Sequence, residues 1–119
     1  MKVAISAQGR ELDSQVDPRF GRAKYFIVVD TETGSFTVYD NSQNLNAPQG
    51  AGIQAAKNVL DSGAVIVISG NVGPKAFDAL RAAGITVYTG ASGTVHDTME
   101  AFRAGRLTES GKATVEGHW

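Results

Sequence analysis

The segment Asp13 to Ala23, DSQVDPRFGRA, places two arginines, an aromatic ring and a glycine shortly after an apolar run that reads as a strand. The guanidinium groups of Arg19 and Arg22 stay charged and present forked donors to an anion. Pro18 stiffens the approach, and Gly21 lets backbone come close to a ligand. These residue types suit an anion-binding loop. An ordinary solvated surface loop is the alternative that the segment alone leaves open.

Three glycine-rich turns repeat the theme, each ahead of a helical pattern: QGAG at Gln49 to Gly52, GNVG at Gly70 to Gly73 and GASG at Gly90 to Gly93. Backbone N–H groups at the positive end of a helix attract anions. Gln49, Gly50, Gly52, Asn71, Gly73, Ser92 and Gly93 are therefore candidate contacts beside Arg19, Phe20, Gly21 and Arg22. Strand-to-helix turns also use glycine merely for backbone geometry. None of the turns matches a phosphate-binding P-loop or the G-x-G-x-x-G dinucleotide spacing, so nucleotide specificity has no support.

Catalytic constellations are poorly supplied. Ser6, Ser69 and Ser92 are nucleophiles on paper only, and His96 is the one candidate base, equally readable as an ordinary surface histidine in a first helical turn. A two-metal nuclease needs clustered carboxylates, yet neither Lys2 to Ser6 nor Ala64 to Ser69 contains Asp or Glu. The chain has no cysteine, which removes disulfides, thiolate zinc sites and cysteine-ligated iron–sulfur clusters together. His118 beside Trp119 is a second conceivable metal ligand, in what reads as a tail. An enzyme is not expected.

The elements that must position these residues follow from periodicity. Lys2 to Ser6 is a short apolar run suited to a central strand. Lys24 to Asp30 and Ser35 to Tyr39, rich in β-branched and aromatic residues, flank the turn TETG and predict an antiparallel hairpin. A helix is expected at about Ile53 to Leu60 with Ile53, Ala56 and Leu60 on its buried face. Ala64 to Ser69 reads as a strand buried on both faces, with Pro74 opening the next helix and Phe77 and Leu80 facing inward. Ile85 to Tyr88 is the last strand. Thr94 and Asp97 form a capping box for a third helix whose apolar stripe is Val95, Met99 and Phe102.

This order predicts an α/β fold: a mixed five-stranded sheet, strand order 3-2-1-4-5, with an antiparallel hairpin at one edge and helices on both faces, in the ribonuclease-H-like arrangement. Ligands in such sheets favour the crevice outside the carboxyl ends of the strands. The arginine loop and all three glycine turns are expected there. With 119 residues, 42% hydrophobic, a single domain over 1–107 is expected, followed by a flexible tail over 108–119. The formal net charge of -1 argues against nucleic acid as a partner. No run is long enough to span a membrane and the start lacks a secretory core, so the expected location is cytoplasmic. The edge strand Ser35 to Tyr39 could pair with another copy, giving a monomer or weak homodimer.

The phrases VDPRFGRA and QGAGIQAA, with the stretch from Asn41 to Tyr88 and AGRL at Ala104 to Leu107, resemble the dinitrogenase iron-molybdenum cofactor biosynthesis family over nearly the whole domain. The resemblance implies a ribonuclease-H-like fold and a non-catalytic carrier or storage protein. Its cargo would be an anionic metal–sulfur cluster, the iron-molybdenum cofactor or a precursor or a molybdenum–copper sulfide, held without covalent bonds and exchanged with cofactor donor and acceptor proteins. Such a cluster brings its own sulfur, which accounts for the missing cysteines. Carried over position by position, Arg19, Phe20, Gly21, Arg22, Gln49, Gly50 and Gly52 are the implied contacts, with His96 a substitute for a histidine that some relatives have near position 49. A regulatory module sensing a small anion or partner protein through the same crevice is the alternative.

Overall fold

A computed structural model describes residues 1–44 and 50–114. Five strands form one sheet: β1 (Lys2–Ala7), β2 (Tyr25–Asp30), β3 (Phe36–Asp40), β4 (Ile66–Ile68) and β5 (Thr86–Tyr88), in the order β3-β2-β1-β4-β5. β1 pairs antiparallel with β2 and parallel with β4, so Ile5 stands between Ile27 and Ile68; β2–β3 is antiparallel and β4–β5 parallel. Helices α1 (Ala51–Asp61), α2 (Pro74–Ala82) and α3 (Val95–Arg103) complete the fold. The predicted strand order and the α/β class are both observed.

Alternation along each strand divides the core in two, because successive side chains leave opposite faces of the sheet. Ala4, Phe26, Val28 and Val67 pack under α1 and α2 with Ala55, Val59, Phe77 and Leu80. Val3, Ile5, Ile27, Val29, Ile66 and Ile68 pack on the other face under Val95 and Met99 of α3. Thr94 caps α3 as expected: its side chain accepts from the Asp97 N–H, and the Asp97 carboxylate accepts from the Thr94 N–H. Pro74 begins α2 with Gly73 as N-cap.

Two packing expectations are corrected. Ile53 and Leu60 are 47% and 50% exposed, whereas Ala56 is buried as expected, with Ala51, Ala55 and Val59 beside it. The inner stripe is built of small residues because α1 runs hard against α2, where a Cβ placed on Gly52 would lie 3.1 Å from the Ala76 methyl. The ladder of β4 covers only Ile66–Ile68, and Val65, just outside it, is 47% exposed.

The chain after Leu107, read as a tail, is bonded to the sheet over its described part. Glu109 forms an antiparallel bridge with Tyr88, the Ser110 N–H donates to Val87 O (2.8 Å) and Ala113 packs against the α1/α2 core. His118 lies outside the described residues.

Candidate functional site

β1 and β4 are parallel, so their carboxyl ends open on one edge of the sheet, and the long β1–β2 loop crosses that edge. Asp17 anchors the crossing. Its N–H donates to Ser6 O (2.9 Å) and its carbonyl accepts from the Ser6 hydroxyl (2.8 Å), which also lies 2.8 Å from Ser69 Oγ. Ser6 and Ser69 are fully buried and hold loop and strands together, so they offer no exposed nucleophile.

Beyond Asp17 the loop is stitched to the turn that follows β4. Pro18 O accepts the Asn71 N–H (2.8 Å) and its side-chain Nδ2 (3.2 Å), and Asn71 O accepts the Phe20 N–H (3.1 Å). Gly70 makes this approach feasible, since a Cβ there would stand 2.7 Å from Pro18 Cα. Arg19 is thereby held against Asn71, its side chain 40% exposed at the crevice. Asp17 Oδ1 accepts the Arg19 N–H (2.9 Å) and lies 3.5 Å from its Nε. The carboxylate therefore steadies one edge of the guanidinium.

The far end of the loop is tied by a residue that the sequence reading passed over. Asn41, wholly buried, donates through Nδ2 to Ala23 O (2.8 Å) and Gly21 O (3.3 Å). Its Oδ1 accepts from Asn44 and from Asn58 of α1, each at 2.8 Å. A sequence run rich in Asn reads as polar linker, and only tertiary pairing distinguishes a buried amide hub within it. Asp17 was likewise overlooked, although Asp two residues before Arg19 is the spacing of a turn in which a carboxylate accepts a following N–H. Arg10, set over the Tyr25 ring at 5.2 Å, adds a further positive charge along the hairpin flank of this edge.

The predicted contacts do not form one cluster. Arg19, Asn71, Gly73, Gly50 and Gly52 share the α1/α2 side, where the two helix starts meet at Gly52 and Ala76. Gly21 is buried in the loop beside them, Arg22 is partly exposed, and Gln49 lies outside the described residues. Phe20 is corrected: it is fully buried, its ring 5.1 Å from Phe26, and so forms core beneath the loop instead of a crevice wall.

Ser92, Gly93 and His96 belong to the α3 face. There the N–H groups of Val95 and His96 donate to Ser14 O (2.9 Å) and Leu12 O (2.8 Å), and Gly93 O accepts from Val16. The first turn of α3 thus spends those donors on the loop itself, which corrects the expectation of three free helix starts. His96 is exposed. Among the described residues, no group of three or more His, Cys, Asp or Glu could hold a metal ion, and no helix is long and apolar enough to cross a membrane.

This architecture is shared. A family model described as dinitrogenase iron-molybdenum cofactor matches residues 1–105. The chain belongs to that family. The apo form of the orange protein from Desulfovibrio gigas is 41% identical with a TM-score of 0.93, the match covering 96% of each chain. A NifB-like protein of the DUF35 family from Thermotoga is 40% identical, TM-score 0.85, over 98% of each chain. An uncharacterised protein from Methanocaldococcus jannaschii is 28% identical over 109 residues, 90% of this chain and 89% of its own. The dinitrogenase iron-molybdenum cofactor family match spans both sheet faces, the arginine loop and the Gly70–Pro74 turn.

Proposed function

We propose that the chain binds and carries an anionic metal–sulfur cluster containing molybdenum with iron or copper during cofactor assembly, without catalysing a reaction. The observation that carries this reading is the joining of Arg19 to Asn71 at the edge where α1 and α2 begin. A fixed guanidinium beside two positive helix ends favours a compact anion. The chain has no cysteine and, among the described residues, no group of three or more metal-ligating side chains, so in this reading the guest is held through its outer sulfur atoms by N–H donors and charge. Membership of the dinitrogenase iron-molybdenum cofactor family and likeness to the orange protein and to a NifB-like protein support a cofactor-binding or carrier role.

In this reading Arg19, Arg22, Asn71, Gly73, Gly50 and Gly52 contact the cargo, with Gln49 beside them in sequence. Gly93, through its carbonyl, and His96, through its N–H, contribute by holding the loop from behind. The cargo comes from a donor protein and passes to an acceptor, and the domain over 1–107 is the carrier unit, its strand order of the ribonuclease-H-like kind.

Incubation with tetrathiomolybdate and a copper(I) salt, followed by desalting, tests the reading. A retained charge-transfer band with protein-bound molybdenum is expected. Colourless, metal-free protein after that treatment would overturn it.

A further inference from the structure

The turn Asn71–Val72–Gly73 is clamped from two directions. Residue 71 is bonded to the arginine loop and residue 73 caps α2. Between them, the Val72 N–H donates to Thr114 Oγ1 (2.9 Å) and Val72 O accepts the Thr114 N–H (3.0 Å). Thr114 comes from beyond the family match, which ends at residue 105. It is the last described point of a segment that first pairs with β5 through Glu109 and Ser110.

We infer that residues 108–114 form a regulatory strap whose docking on β5 and Val72 is coupled to occupancy of the Arg19–Asn71 crevice. The inference rests on the carrier reading and adds a control element to it. With the strap docked, both backbone groups of Val72 are satisfied and the turn keeps the position in which Asn71 meets the loop and Gly73 starts α2. With the strap released, those groups turn to water and the crevice loses one of its two supports. A guest that bridges the loop and the α2 start needs the supported geometry, so it binds the strapped form more tightly. By reciprocity, a bound guest tightens the strap, which makes release of the C-terminal segment a route to release of cargo.

Amide hydrogen exchange on the full chain reads both halves of this coupling. Loading with tetrathiomolybdate and copper(I) should slow exchange at Ser110 and Thr114 about fivefold or more. Thr114→Val, a surface change of similar size, should speed exchange at Val72 and raise the rate of chromophore loss by a comparable factor while far-ultraviolet circular dichroism stays unchanged. Normal loading with identical Ser110 and Thr114 exchange in free and loaded protein would overturn the strap and leave the carrier reading standing. Failure of the wild-type chain to load would overturn the carrier reading, and the coupling with it.

Discussion

Asp17 and Arg19 form a turn in which a carboxylate that is 2% exposed accepts the backbone N–H and flanks the Nε of a side chain that is 40% exposed. Burial on one side and exposure on the other divide the labour: Asp17 fixes the loop and Arg19 faces the crevice. Asp17→Ala removes a buried acceptor from the half-buried Arg19 N–H and should destabilise the protein by about 1 kcal/mol, the usual net contribution of such a hydrogen bond. Urea unfolding would read this as a lower midpoint at unchanged slope. Asp17→Asn keeps an oxygen in place and should lose less.

Gly70→Ala tests the contact between loop and β4 turn. The added methyl would fall 2.7 Å from the Cα of Pro18, which is backbone and has no rotamer by which to yield. Overpacking of this kind costs about 1–3 kcal/mol. Amide chemical shifts should move at Phe20 and Asn71, whose N–H groups donate to Asn71 O and Pro18 O across that separation, and remain unchanged in the hairpin between β2 and β3.

The strand order was legible because each element had its own signal: the β-branched hairpin, the apolar runs, Pro74 at a helix start and the Thr94–Asp97 box. The face of α1 was not. Large apolar residues are taken to mark the buried stripe, yet close packing against α2 selects the small ones, leaving Ile53 and Leu60 outside. Ile53→Gln and Leu60→Gln should each change stability by less than about 0.5 kcal/mol, as exposed substitutions do. Val59→Ala, which removes two fully buried methyl groups, should cost about 1–3 kcal/mol on the scale of core truncations. Thermal or urea denaturation of the three variants separates the two faces.

The site was legible only in part, for a related reason. Arginines and glycines announce a possible crevice, but where the backbone donors go is decided by tertiary pairing. The start of α3 carries the same glycine turn as its neighbours, and its N–H groups of Val95 and His96 are spent on Ser14 and Leu12. Likewise, Phe20 lies in a charged loop and is nonetheless core, because the loop folds back over the sheet edge.

Acid should loosen the β2–β3 hairpin at both ends. The Ser42 hydroxyl, then its N–H, with a smaller push from Arg10, hold the Asp40 carboxyl below its ordinary value of 3.8. At the turn, the Glu32 N–H chiefly lowers Asp30 in the same way. A depressed carboxylate stabilises the fold fully above its unfolded value, and the benefit is lost as pH falls through the folded one. Stability should therefore be insensitive to these two groups between about pH 5 and 8, and decline below 3.8. Carboxyl carbon NMR should show both titrating below the ordinary aspartate range, and Ser42→Ala should return Asp40 toward it without moving Asp30.

Arg19 decides the carrier reading at the level of one side chain. Arg19→Ala leaves the backbone N–H that Asp17 accepts, so the fold should persist while one positive charge at the crevice is removed. A charge-assisted contact contributes about 1.5–3 kcal/mol, which corresponds to roughly ten- to hundredfold weaker retention of a tetrathiomolybdate–copper chromophore. Arg19→Lys separates charge from shape. A lysine restores a positive group but cannot place Nε beside Asp17 and point two further donors outward. If the guest is held by a forked donor set, Lys should recover only part of the retention; if net charge alone suffices, Lys should recover nearly all of it. Dialysis against increasing salt sharpens the distinction, because simple charge attraction is screened while bonds at an oriented guanidinium persist. Retention unchanged in Arg19→Ala would remove Arg19 from the site, and unchanged retention in the Arg19→Ala, Arg22→Ala double variant would return the loop to ordinary surface.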